Sequence, residues 1–359
     1  MTDLAMIQER CKRYQAFWRS APVERPLIGF SLGGWFPFQH YTAMQKFSGI
    51  PRLKAEDLHP EEFFADYDRL VATFDQVEDD VLRAVSPIPF LPWLEAMLGA
   101  PVEVGQESIW AREGGFEFVD VDRLDFSSEN PWRRTYLEFV AALADRYRNR
   151  VPIGLPILRG VSDLVACLRG SQQMVFDLHD HPDEVKRLAR KCTDFIIGLV
   201  QDQQKITGPF AGGYTIEAYS LWAPDKIIRI QEDASALFSP DLYEEFLRRE
   251  NEAQASAFPY SLIHLHSSSL FLLDRILNVK PLNCIQINKD VGGTEIEWEL
   301  PYFKMAQHRG RRLLVRGKLT REDLELLRRN LSPRGLYVQI VVEKPEETEA
   351  LREFFRPWS

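Results

Sequence analysis

Cysteine is scarce in this chain, and the four that occur, Cys11, Cys167, Cys192 and Cys284, are scattered without a CxxC pair. A disulfide framework is therefore not expected, and a reducing, cytoplasmic compartment fits best. Basic charge is in deficit as well. The formal net charge is −9 with no Lys/Arg block, which argues against nucleic-acid partners, because these need cations to neutralise phosphates. No apolar run is long enough to cross a bilayer, so no membrane association is expected. The stretch Met1 to Gln15 carries Asp3, Glu9, Arg10, Lys12 and Arg13 where a signal core would be apolar. Neither a short repeat nor a linker rich in Pro, Gly or Ser divides the sequence.

What is present is globular, with 45% hydrophobic and 27% charged residues, ample for a core and unlike a disordered chain. Short β-rich apolar runs recur, and most precede a longer segment of helical period, the pattern of a parallel sheet wrapped in helices. Eight such runs are read as core strands, at 26–32, 80–86, 152–158, 226–232, 261–267, 282–288, 312–317 and 336–342. Eight strands close a barrel without leaving an edge. The expected fold is α/β, a single (β/α)₈ TIM barrel over residues 1–359, with an N-terminal helical extension and an accessory hairpin within 102–121 around Gly114-Gly115. The clearest helix carries the stripe Val185, Leu188, Ala189, Cys192, Phe195, Ile196 and Leu199, which makes Cys192 a core residue. Ser239-Pro240, Thr320 with Asp323, and Pro345 mark helix starts.

Alternate residues of a barrel strand face inward, and polar ones near its carboxyl end are candidates for chemistry. His264 and His266 share one face, with Ile263 and Leu265 on the other. At a rise of about 3.3 Å per residue their Cα atoms stand about 7 Å apart, close enough to share a metal or an anionic substrate. The bland reading is a pair of hydrogen-bonded core histidines. On the next strand Cys284, Gln286, Asn288 and Asp290 share a face, which is costly in an apolar interior and suggests a wet cavity. On the last strand Tyr337, Gln339, Val341 and Glu343 align, bringing Glu343 to the mouth. Arg159, Asp163, Gln231, Glu232, Asp233 and Lys318 lie at or beyond other strand ends; each alone reads as a salt-bridged rim residue. The aromatics Trp35, Phe36, Phe38 and Trp222 are expected to form the apolar wall of one pocket. The glycine pairs lack the spacing of a nucleotide-binding fingerprint. Asp177-Leu178-His179-Asp180-His181-Pro182 is read as a turn joining two helices.

Several strings taken together resemble the uroporphyrinogen decarboxylase superfamily, which includes zinc-dependent methyltransferases serving corrinoid proteins. They are Pro156-Ile157-Leu158-Arg159-Gly160 with Asp163-Leu164 and Leu168-Arg169-Gly170, the Asp177 to Val185 string, Phe238-Ser239-Pro240-Asp241-Leu242-Tyr243, Ile263-His264-Leu265-His266, and Arg316-Gly317, in order over about residues 130–355. The resemblance implies the same barrel. It also implies a metal pair at His264 and His266, although the methyltransferases carry a cysteine where His266 stands and a late cysteine on the last strand, which here reads Val341-Val342-Glu343. The decarboxylase's carboxylate-binding Arg-Gln-Ala-Gly-Arg string is replaced by Phe30-Ser31-Leu32-Gly33-Gly34-Trp35-Phe36-Pro37-Phe38.

The expected activity is therefore methyl transfer between a small methylated compound and a corrinoid on a separate partner protein. Zinc is the expected metal, with His264, His266 and either Glu343 or Cys284 as ligands. Asp233, Asn288 and Glu343 are the catalytic candidates; Phe30, Trp35, Arg159, Trp222, Gln231 and Lys318 are the substrate-binding ones. The alternatives are decarboxylation of a carboxylated, tetrapyrrole-like substrate, with Arg159 on its carboxylates and Asp80 stabilising the protonated intermediate, or a barrel that binds a ligand without turnover. A homodimer is left open.

Overall fold

The computed structural model describes residues 4–33, 41–106, 108–124 and 126–358. In chain order its strands are β1 (Leu27–Leu32), β2 (Val102–Val104), β3 (Ile109–Ala111), β4 (Tyr214–Ile216), β5 (Leu221–Ala223), β6 (Ile227–Gln231), β7 (Tyr260–Leu265), β8 (Cys284–Lys289), β9 (Arg312–Gly317) and β10 (Leu336–Val342). Six of them form one parallel sheet in the order β1-β10-β9-β8-β7-β6. Helices fill the connections between successive sheet strands, as parallel crossovers require. The register sets Gln231 beside His264, His264 beside Gln286, and Asn288 beside Arg316, so the polar residues read from strand alternation lie next to one another.

The ladder is not the closed ring of eight strands expected. Segments 80–86 and 152–158 join only through isolated parallel bridges, Val85 to Ile153 and Leu155 to Ile216. The reason lies in their residues. Pro152 and Pro156 bring no N–H to a ladder. Beside β1, the Asp80 amide donates to the Ile28 carbonyl (3.1 Å), and side chains take other ladder positions: the Phe30 amide donates to Asp79 (2.9 Å), the Ile28 amide donates to Asp80 (3.0 Å), and Arg83 donates to the Phe30 carbonyl (3.0 Å). At the other edge Arg229 donates to the Leu158 carbonyl (3.2 Å). Polar side chains thus stitch the seam between β1 and β6.

The accessory hairpin forms as β2 and β3, but it turns within 105–108 and not at Gly114-Gly115. Those glycines, both at positive φ, lead the chain back against the helix Val161–Arg169, where the Gly114 amide bonds the Cys167 carbonyl (2.7 Å). The hairpin of β4 and β5 was not expected; three-residue strands are too short to show a period.

The N-terminal helix Leu4–Trp18 buries Cys11, Tyr14, Phe17 and Trp18. The stripe read from Val185 to Leu199 is the buried face of the helix Pro182–Thr207. Ser239 and Thr320 cap their helices through the Leu242 (3.2 Å) and Asp323 (3.1 Å) amides. The Asp177 to Pro182 string joins the helices Ser171–Asp180 and Pro182–Thr207, and its Asp177 pairs with Arg169 (2.7 Å). All four cysteines are buried and unbridged. Among the described residues no helix is long and apolar enough to cross a membrane.

Candidate metal centre and its cavity

A cavity of about 490 Å³ opens at the carboxyl ends of the sheet strands. One side is apolar, with Leu32, Tyr41, Leu70, Pro89, Phe90 and Ile157. The other gathers Arg229, Gln231, Asp233, His264, His266, Asn288, Asp290 and Arg316. Alternation along β6, β7, β8 and β9 explains this: each strand sends its last inward residues into the same space.

The two histidines face each other. His264 Nε2 and His266 Nε2 are 3.0 Å apart, and Asp233 Oδ1 stands 3.9 Å from the first and 3.8 Å from the second. Among the described residues these three form the group whose ligand atoms all lie within 4.8 Å of one another. Each member is held from behind. His264 Nδ1 meets Gln286 Oε1 and, at 3.0 Å, the Tyr219 hydroxyl. His266 Nδ1 donates to Asp290 Oδ1 (2.6 Å), and Asp290 also accepts from Asn288 Nδ2 (2.6 Å) and from the Ser267 amide (3.2 Å). Gln231 Nε2 occupies Asp233 Oδ2, leaving Oδ1 toward the histidines.

These outer partners decide the protonation pattern. With Gln286 Oε1 and Asp290 Oδ1 at the two Nδ1 atoms, both Nε2 atoms face the same point, where they can share one proton or one metal ion. Burial, together with the Arg229 guanidinium, pushes His264 down to about 3, so its imidazole is neutral. The Asp290 hydrogen bond raises His266. Burial alone would raise Asp290, but its bonds to His266 and Asn288 outweigh that and hold it at about 2. At 3.0 Å the two Nε2 atoms are at hydrogen-bond distance, with a proton on His266 donating to neutral His264, and a metal cation would take the place of that proton. Nitrogens on one tetrahedral zinc stand about 3.3 Å apart, from Zn–N distances of about 2.0–2.1 Å. The donor set, two imidazoles and a carboxylate, suits zinc with a position left open to the cavity.

The structure brings together His264, His266, Asp233, Gln231, Asn288 and Arg159 around this cavity. It does not bring Glu343. Beyond the end of β10, Glu343 is half exposed and pairs with Lys318, so neither reaches the histidines; the carboxylate that stands with them is Asp233 instead. Cys284 also lies apart. It begins β8, one inward position below Gln286, and is fully buried. Phe30 points outward and stacks on Phe355 (5.8 Å), because Gly29 and Ser31 take the inward positions of β1. Trp222 packs beneath the N-terminal helix, its carbonyl accepting from Trp18 Nε1 (2.9 Å), and does not line the cavity. Trp35, Phe36 and Phe38 lie outside the described residues. Asp80 sits at the amino end of the sheet, paired with Arg25 (2.9 Å), too far along β1 to serve the cavity.

Among the cavity residues that sequence reasoning did not single out for the pocket, five carry polar side chains. Arg229 and Arg316 share strand parity with Gln231 and Lys318, so alternation could have found them. Glu217, Tyr219 and Tyr41 follow no long strand and left no signal. Glu217 is the chemically notable one, since burial pushes its carboxyl up to about 7 against the pull of Arg316.

No family model matches the chain, and no curated protein matches it. Among solved structures it is similar to a methyltransferase from Methanosarcina mazei, at 15% identity over 96% of this chain and 98% of that chain, with a TM-score of 0.65. At that identity the likeness establishes a shared fold.

Proposed function

We propose that this chain is a metal-dependent methyltransferase on a single (β/α)₈ barrel of the uroporphyrinogen decarboxylase superfamily, moving a methyl group between a small methylated compound and a corrinoid carried by a separate protein. The observation that carries this reading is the pair of imidazole Nε2 atoms 3.0 Å apart with the Asp233 carboxylate beside them. The fold shared with a protein named as a methyltransferase supports it. The superfamily strings in the sequence point the same way.

His264, His266 and Asp233 would hold the zinc, which when bound acts as a Lewis acid and favours the deprotonated form of a thiol or hydroxyl. Gln286 and Asp290 fix the tautomers of the two imidazoles. Gln231 orients Asp233. The wall from Leu32 to Phe90 keeps water from the reacting group, and Arg229 and Arg316 bring positive charge to the far side. One observation favours decarboxylation instead: Arg159, Arg229 and Arg316 all line the cavity and could receive carboxylates. The remote position of Asp80 counts against the intermediate-stabilising role it would need there.

Elemental analysis of protein purified without chelator tests the proposal. One zinc per chain is expected, falling below a tenth of that in His266→Ala with the fold retained by circular dichroism. Wild type without stoichiometric metal would end the methyl-transfer reading.

A further inference from the structure

Asp233 differs from the two histidines in what supports its backbone. His264 lies on β7 and His266 directly after it, where the parallel ladder holds the chain. Asp233 stands two residues beyond the end of β6, at the start of the turn Asp233–Leu237. A functional group on a loop needs a support outside its own strand, because a constellation about 1 Å too loose fails.

That support comes from the helix Val161–Arg169. Asp163 Oδ1 accepts the Ala234 amide (2.8 Å), directly after Asp233, while its Oδ2 accepts the Gly160 amide (3.2 Å). Glu232 returns the contact from directly before Asp233: its Oε2 accepts the Ser162 amide at the start of the same helix (2.7 Å). Both carboxylates are buried, where such bonds are strengthened by the low dielectric. We propose that Asp163 and Glu232 are positioning residues for the metal centre, a clasp that holds the chain on both sides of Asp233 and so aims its carboxylate at the histidines. The clasp serves the metal site of the proposed function and rests on that reading, which it extends to two side chains that bond backbone amides.

The distances show why the aim matters. Asp233 Oδ1 is 3.8 and 3.9 Å from the two imidazole nitrogens. Ligand atoms on one tetrahedral zinc stand about 3.3 Å apart, so a movement of about half an ångström completes the set. Gln231 Nε2 on Oδ2 fixes the rotation of the carboxylate, and the clasp fixes the chain that carries it. Helix capping alone does not explain Asp163. The Oδ2 bond to Gly160 caps the helix, whereas the Oδ1 bond reaches a residue 71 positions away and adds nothing to a cap. The string Arg159-Gly160 with Asp163-Leu164 thereby acquires a role: the Gln231 carbonyl leaves no room for a side chain at Gly160, and Asp163 supplies the acceptor.

Zinc affinity by competition with a chromogenic chelator, measured on wild type, Asp163→Ala, Asp233→Ala and the double variant, tests this. Supports behind metal ligands are worth about 10–100-fold in affinity, and Asp163→Ala is expected to lose that much. Because Asp163 acts through Asp233, the double variant should bind zinc no more weakly than Asp233→Ala; a role confined to the fold would make the two losses multiply. Cobalt(II) gives a second readout. At saturating cobalt the visible ligand-field spectrum of Asp163→Ala should move toward that of Asp233→Ala, a change that lowered stability alone does not produce. Asp163→Asn, which keeps an acceptor for the Ala234 amide, should recover most of the affinity. Glu232→Ala should show the same non-additivity with Asp233→Ala and keeps the test open if Asp163→Ala does not fold, since Glu232 Oε1 has no hydrogen-bond partner among the described residues to lose. Wild-type zinc affinity in either alanine variant, or losses that multiply with that of Asp233→Ala, would overturn the clasp and leave the metal centre standing. A wild type that takes up no zinc would sink both.

Discussion

The side chains behind the ligands matter as much as the ligands. Asp290 touches His266 through Nδ1, opposite the nitrogen that faces His264. Replacing such an outer partner costs about 10–100-fold in metal affinity, since the imidazole loses both its orientation and its tautomer. Asp290→Asn is expected to weaken zinc by that factor in a competition assay with a chromogenic chelator, without unfolding the protein. Glu343→Ala provides the contrast. Its carboxylate lies in a half-exposed pair with Lys318, and such pairs contribute little, so zinc affinity and melting temperature should both stay at wild-type values. A loss of metal in Glu343→Ala would return that residue to the ligand set.

Among the elements, the seam between β1 and β6 is the unusual one, because side chains do there what backbone ladders do elsewhere. Asp79 accepts the Phe30 amide and pairs with buried Arg83. Asp79→Ala would strand that guanidinium and orphan the amide together. Breaking a buried pair from one side costs about 3–5 kcal/mol, and a drop of that size in urea unfolding is expected. Gly160 acts at the other edge of the seam. Its φ of −91° is ordinary for any residue, but a Cβ there would stand 1.2 Å from the Gln231 carbonyl oxygen. Space, not backbone conformation, demands glycine. Gly160→Ala should therefore displace the end of β6, detected as loss of soluble folded protein or, failing that, loss of zinc.

For the whole molecule, buried carboxyl groups set the pH dependence of stability. Burial lifts Glu95, Glu217 and Glu299 to about 7. A carboxyl whose folded pKa is raised stabilises the native state fully below its unfolded value of about 4.3, and that contribution disappears as pH rises through the folded value. Asp68 behaves oppositely: its hydrogen bond from Arg146 lowers it, so its contribution is present above the ordinary carboxylate range and lost in acid. The melting temperature should thus peak on the acid side of neutrality, fall between pH 5 and pH 8, and fall again below pH 4. Glu299→Gln, which mimics the protonated form away from the metal centre, should flatten the fall between pH 5 and pH 8. A melting temperature that rises across that interval would contradict the assignment.

Sequence alone determined what depends on neighbours along the chain. Strand alternation put His264 with His266 and Gln286 with Asn288 on inward faces, and capping residues marked helix starts at Ser239 and Thr320. These features obey a period of two or a fixed capping offset, and both are local. Tertiary structure decided the rest. Whether Asp233 or Glu343 completes the histidine pair turns on how the loop after β6 folds and on Lys318 capturing Glu343, neither of which has a period. The inward turn of Ser31 in place of Phe30 follows from a one-residue phase, set by Tyr337 and Val81 packing against Gly29 from distant parts of the chain. The open seam likewise depends on Asp79, Asp80 and Arg83 finding β1 amides and a carbonyl about fifty residues away, a pairing that only the closed chain can make.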